Sequence, residues 1–171
     1  MDIGTFDQPV LVFRGPYSNL EAPQALLQRA MVLGFPSERM ICMGDVVAYC
    51  ADPNATLGLM ASSGSATVMY KCEEFISADS DDCGCRYAEG SMCNTPSVQW
   101  YAHARENLTA TAKYWMVELS KLIEFMMAGP HPAIIHGAPS AINRFVFESA
   151  EDVIVVSEIE RSGSDGVLCG H

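Results

Sequence analysis

The sequence predicts an α/β domain, with strands alternating with helices around a parallel core sheet. Three observations carry this. The apolar run that begins at Ile41 breaks at Gly44-Asp45, and a second turn follows at Asp52-Pro53. The run PVLVF at residues 9–13 is followed by Ser18-Asn19-Leu20-Glu21, the spacing of a helix capping box. The apolar residues 133–135 run straight into His136-Gly137. Short apolar runs that end in a turn read as buried strands. Open α/β sheets present ligands beyond the carboxyl ends of their strands, which makes Asp45 and His136 site candidates.

Taken in order, residues 9–13 form the first predicted strand and residues 14–17 the loop after it. A helix starting at Ser18 places Ala22, Leu26, Ala30 and Leu33 on one face, and Gly34 supplies a left-handed stop before Phe35-Pro36. Residues 39–43 are the second strand. Asp52 is the predicted N-cap of a helix whose first residue is Pro53, and residues 66–70 are the third strand. Right-handed crossovers gather the loops after these strands at one edge, so Tyr17, Asp45 and Lys71 are expected to be neighbours. From Lys71 to Asn94 the chain loses periodicity and becomes acidic and cysteine-rich, the mark of a long functional loop.

Thr95-Pro96 opens the next helix, carrying Val98, Tyr101, Ala102 and Leu108, and a second helix covers residues 110–119. Residues 122–126 and 133–136 are strands joined around Gly129-Pro130. Residues 149–162 leave two readings open. Glu151 and Asp152 suit a first helical turn, whereas Val153, Ile154, Val155 and Val156 are β-branched and suit a strand. Residues 166–169 are a last strand aimed at Gly170-His171.

At 171 residues and 49% hydrophobic, the chain is long enough to bury a core as one domain, residues 1–171. A net charge of −11 disfavours nucleic acid, whose binding rests on Lys and Arg neutralising phosphates. The acidic balance reads first as a solvated surface. No stretch has the length of a membrane span and the N-terminus lacks the basic start of a signal peptide, so a cytoplasmic location without membrane contact is expected. Seven cysteines there are expected to be thiols.

The tracts GPYSNLEA from Gly15, GDVVAYCADP from Gly44, VMYKCEE from Val68, HGAP from His136 and the final Gly170-His171 resemble, in order and spacing, the calcineurin-like metallophosphoesterase family. The resemblance covers nearly the whole chain and is carried by that family's D-x-H, S-N-L-E-A, G-D, G-N-H-[DE], H-G and G-H-x-H pattern. It implies an αββα sandwich with mixed sheets flanked by helices, and it favours helix for residues 149–162. It also implies that the C-terminal part of the family fold is missing, leaving a sheet edge that would offer pairing to a second copy.

Matched residue by residue, the family's first Asp and His fall on Gly15 and Tyr17, its Asn ligand on Lys71 and its catalytic His on Cys72. Asp45, His136 and His171 are retained. The resemblance thus implies a divalent metal, Mn, Fe or Zn, as a single ion held by Asp45, His136 and His171, or none. A metal position that depends on Gly15 and Tyr17 is expected to be empty or weak. Against the single ion stands Lys71, whose ammonium could instead pair with Asp45 and supply the missing positive charge; both readings stay open. Cys72 is a candidate catalytic group or, more simply, an inert packed thiol. Cys83-Gly84-Cys85 with Cys72 and Cys93 is a weak thiophilic-metal pattern, and Asp79, Asp81 and Asp82 are only a superficial calcium loop. His103, His131 and Arg144 read as surface residues.

The functional expectation is a hydrolase of phosphate mono- or diesters with a reduced metal site and low activity. The alternatives are an inactive descendant that binds a ligand or partner on the same scaffold, and a cysteine-rich metal or redox protein.

Overall fold

Met40, Ile41 and Cys42 form a strand buried on both sides, and their alternating side chains build two cores. Ile41 points to one side, where Met43, Val68, Ile123, Phe125 and Ile134 gather. Cys42 points to the other, where Val46, Leu57, Met60, Tyr70, Ile76 and Met116 gather. The first core lies between two sheets and the second between a sheet and helices. The computed structural model describes residues 1–81 and 94–170, without the side chains of residues 94 and 95.

The strand of Met40–Cys42, β3, is the centre of a parallel sheet with β2 (Leu11–Phe13) and β4 (Ala66–Thr67) on its two sides. The register sets Val12 and Ala66 against Ile41. Helices α1 (Glu21–Val32) and α2 (Pro53–Ser63) connect these strands, and α3 (Lys71–Ser77), α4 (Asn94–Asn107) and α5 (Ala110–Val117) follow. The second sheet has the order β1-β5-β6-β7, from β1 (Asp2–Phe6), β5 (Leu122–Met127), β6 (Pro132–Ile135) and β7 (Gly166–Cys169). Only β5 and β6 pair antiparallel within it, turning through Ala128 and Gly129, both at positive φ. Helix α6 (Asp152–Ser162) precedes β7 and ends on Gly163 in the left-handed conformation. The expected α/β architecture of mixed sheets flanked by helices is therefore present. No helix among the described residues is long and apolar enough to cross a membrane.

Four local expectations are corrected. Ser18 does not cap α1: the helix starts at Glu21, and the Ser18 hydroxyl instead donates to the Val47 carbonyl at 2.7 Å from a fully buried position. The buried face of α1 is accordingly carried by Pro23 and Ala30, while Ala22 and Leu33 are exposed. Asp52 sits at the N-cap of α2, with Pro53 opening it, but its side chain makes no capping bond. The stretch after Tyr70 is not loop from its start: residues 71–77 are the helix α3, held by Glu73 at its first turn. The N-terminal strand β1 is an addition, since a five-residue run broken by Gly4 has no visible partner until β5 arrives more than a hundred residues later. The expected Thr95 cap lies outside the described side chains.

Candidate functional site

The site is built where β3 ends. Gly44 and Asp45 both take positive φ, +88° and +58°, which turns the chain sharply away from the sheet. At Gly44 a Cβ would lie 2.9 Å from Nδ1 of His136 and 3.0 Å from Cβ of Tyr70. Only glycine lets the imidazole come this close to the strand end. His136 follows β6 of the other sheet, and its Nδ1 donates to the Met43 carbonyl at 2.5 Å. That carbonyl can only accept, so Nδ1 carries the proton and in the neutral ring Nε2 carries the lone pair. Nε2 faces Oδ2 of Asp45 at 3.5 Å. Asp45 and His136, from different sheets, thus meet as expected.

The loop after β2 is zipped onto the loop after β3. Gly15 donates its N–H to the Gly44 carbonyl at 3.3 Å, Tyr17 to that of Asp45 at 2.8 Å and Ser18 to that of Val46 at 2.8 Å. This fixes Tyr17 beside Asp45. Arg14 Nη2 donates to the Tyr17 hydroxyl at 3.3 Å. Asp45 is buried, and its Oδ1 has no hydrogen-bond partner among the described residues. Burial, then the nearby Glu73 carboxylate, pushes the Asp45 carboxyl up to about 7, against the pull of Arg14, the Tyr17 hydroxyl and Lys71.

Two buried residues of this neighbourhood were missed from sequence. The Tyr70 ring stacks on the His136 ring with centroids 3.5 Å apart and 23° between planes, and it fills the position that is glycine in the G-N-H pattern. Lys71, also buried, sets its ammonium 5.6 Å from the Tyr70 ring centroid. Glu73 is fully buried, and Oε1 accepts the N–H groups of Val46 at 2.8 Å and Val47 at 3.0 Å while Oε2 accepts that of Tyr70 at 3.2 Å. One carboxylate therefore holds the backbone on both sides of the site. Burial raises its pKa and the backbone N–H groups of Val47, Val46 and Tyr70 oppose that rise. The signal was present in sequence, as the acidic residue closing G-N-H-[DE], but its partners are distant in the chain.

Cys72 is fully buried, and burial, with Glu73 and Asp45, holds its thiol well above the ordinary range. Arg144 pairs with the buried Glu158 at 2.9 Å and is not directed to the site. Asp79 pairs with Lys113, and Asp81 with Arg105 at 3.0 Å. Nε2 of His103 lies 3.3 Å from the Ala51 carbonyl, and that of His131 3.8 Å from Glu124. His171, Cys83, Cys85, Cys93 and Asp82 lie outside the described residues.

The donor set can be tested against a metal. Two ligands of one tetrahedral ion with bonds of about 2.1 Å stand roughly 3.4 Å apart. The 3.5 Å between Asp45 and His136 matches that, and a backbone carbonyl on the far nitrogen is the usual support of a ligating imidazole. Asp45 and His136 fit one ion. The second position does not fit: Gly15 offers no donor and the Tyr17 hydroxyl is engaged by Arg14. Among the described residues no group of three His, Cys, Asp or Glu side chains is placed to hold a metal.

The sequence matches no protein-family model and no curated protein. Solved structures do match its fold. A metallophosphoesterase from Sphaerobacter thermophilus superposes with a TM-score of 0.67 at 17% identity, over 97% of this chain and 61% of its own length. A hypothetical protein from Pyrococcus horikoshii OT3 gives 0.69 at 13% identity, over 94% of this chain and 68% of its own. The chain has a metallophosphoesterase-like fold. It spans about three fifths of the length of the metallophosphoesterase it resembles.

Proposed function

We propose that this protein is a phosphoesterase-type hydrolase of phosphate mono- or diesters, with a site reduced to one metal position and correspondingly low activity. The observation that supports it most is the Asp45–His136 pair, with Nδ1 anchored on Met43 and Nε2 turned to Oδ2 across 3.5 Å. In this reading Asp45 and His136 hold one Mn, Fe or Zn ion, with His171 as a third ligand. Such an ion, when bound, polarises the phosphoryl oxygen and lowers the pKa of a bound water.

The chain's own residues do the rest. The Met43 carbonyl keeps the imidazole in the tautomer whose Nε2 accepts. Tyr70 covers one face of that ring and keeps water from it. Arg14 and Lys71 act electrostatically on Asp45, and the same two cations complement a phosphate anion. Cys72 has only a packing role, because a buried thiol held above its normal range is not nucleophilic. With one cation position instead of two, one of the charges that would clamp the attacking and leaving oxygens is lost, which costs orders of magnitude in rate.

The test is turnover of mono- and diester substrates by purified protein with Mn, Ni, Co or Zn, repeated with Asp45→Asn and His136→Ala. Slow, metal-dependent turnover lost in both variants is expected. Turnover unchanged by either variant overturns the assignment. Brisk two-metal rates overturn the reduced site. No turnover together with no metal uptake favours the alternative of an inactive ligand-binding descendant.

A further inference from the structure

Four residues beyond Asp45 the same loop carries Tyr49, an exposed tyrosine whose backbone sits at φ +128°, a conformation that bulky side chains rarely adopt. Such strain is kept only where the surroundings enforce it, and it concentrates at ligand clamps. The enforcement is visible: Cys50 donates its N–H to the Tyr17 carbonyl at 2.9 Å and Asp52 donates to that of Ser18 at 3.0 Å, so the strained turn is zipped to the Tyr17 loop. The Tyr49 ring then lies 5.4 Å from the Tyr17 ring and meets the Trp100 ring edge to face at 5.1 Å.

Beside this aromatic row is an open cleft of about 430 Å³, lined by Tyr49, Cys50, Ala51, Gln99, Trp100 and His103. That volume falls in the range of small-molecule sites. Tyr49 and Trp100 meet there at a right angle and form an aromatic corner, with Gln99 and His103 as polar groups beside it, and Nε1 of Trp100 is buried without a hydrogen-bond acceptor among the described residues. Neither Asp45 nor His136 lines it, but Tyr17 contacts both Tyr49 and the neighbourhood of Asp45.

We propose that this cleft binds a planar aromatic ring of the ester, packed into the corner that Tyr49 and Trp100 form, while the phosphate lies past Tyr17 at Asp45 and His136. The inference rests on the phosphate-ester reading for the second half of the ligand only. Flat rings gain from parallel or edge contacts with Tyr and Trp that a puckered ring of equal size does not make.

The experiment measures binding of 2-naphthyl phosphate, cyclohexyl phosphate and 2-naphthol by titration calorimetry to the intact protein. Tyr49→Ala, Tyr49→Phe and Trp100→Leu are compared with wild type, each checked for native circular dichroism. Naphthyl phosphate should bind at least tenfold more tightly than cyclohexyl phosphate. Tyr49→Ala and Trp100→Leu should abolish that preference, and Tyr49→Phe should keep it. Equal affinity for the two phosphates, or a preference untouched by Tyr49→Ala, overturns the aromatic cleft while leaving the phosphate reading in place. If 2-naphthol binds as tightly as its phosphate, with the Tyr49 dependence intact, the cleft stands and the phosphate reading falls.

Discussion

Replacing Asp45 by Asn should make this protein more stable, by an amount that grows with pH. The carboxyl is buried, shares its surroundings with Glu73 and is raised from 3.8 to about 7. A raised carboxyl pKa means that the fold disfavours the ionised form. Below about pH 3.8 both folded and unfolded chains keep the proton and Asp45 costs nothing. Between there and about pH 7 the unfolded chain releases a proton that the folded one retains, so stability falls as pH rises.

A shift of roughly three units at 1.36 kcal/mol each amounts to about 4 kcal/mol, fully expressed above pH 7. Asn has the same shape, carries no charge and tolerates the left-handed backbone at φ +58°. Urea unfolding of both proteins in chelator at pH 4.5, 6 and 7.5 should show the variant gaining progressively over wild type. Adding Zn or Mn should stabilise wild type and leave the variant unmoved. A stability difference that stays flat across the three pH values would refute the argument, because it would show Asp45 to be ionised in the fold at no cost.

Three further outcomes follow from the same geometry. Lys71→Asn should raise Mn or Zn affinity in titration calorimetry and lower the stability of the metal-free protein, since it removes a cation that acts on Asp45. Glu73→Ala strands three buried N–H groups at about 1–3 kcal/mol each, so its unfolding free energy from urea denaturation should drop by several kcal/mol, with Glu73→Gln losing less. Glu158 is driven up by burial but held below its ordinary 4.5 by Ser140 and Arg144. Its stabilisation is present above that value and is lost as pH falls through the lowered pKa, so Glu158→Gln should be less stable than wild type at pH 7 and nearly equal to it in strong acid, by thermal unfolding.

Much of the framework was legible because it depends on neighbours in the chain. The runs at residues 9–13, 39–43, 122–126 and 133–136 each contain or match a strand since their apolar residues must leave water, and the glycines at 34 and 44 end elements since a glycine takes the left-handed turn at no steric cost. The meeting of Asp45 with His136 was also legible, through the resemblance that implies both as ligands of one ion, although they follow strands of different sheets. Partnerships decided by contacts across the fold were not. Ser18 has the spacing of a helix cap, yet it donates to Val47, a residue brought near only when the loops after β2 and β3 meet. Residues 71–77 look aperiodic, and become a helix because Glu73 closes its first turn while reaching Val46 and Val47. Sequence alone determined where most of the strands lie and where the chain turns. Tertiary structure alone decided which polar group each buried donor finds, because that choice is settled by distances between segments that sequence order does not contain.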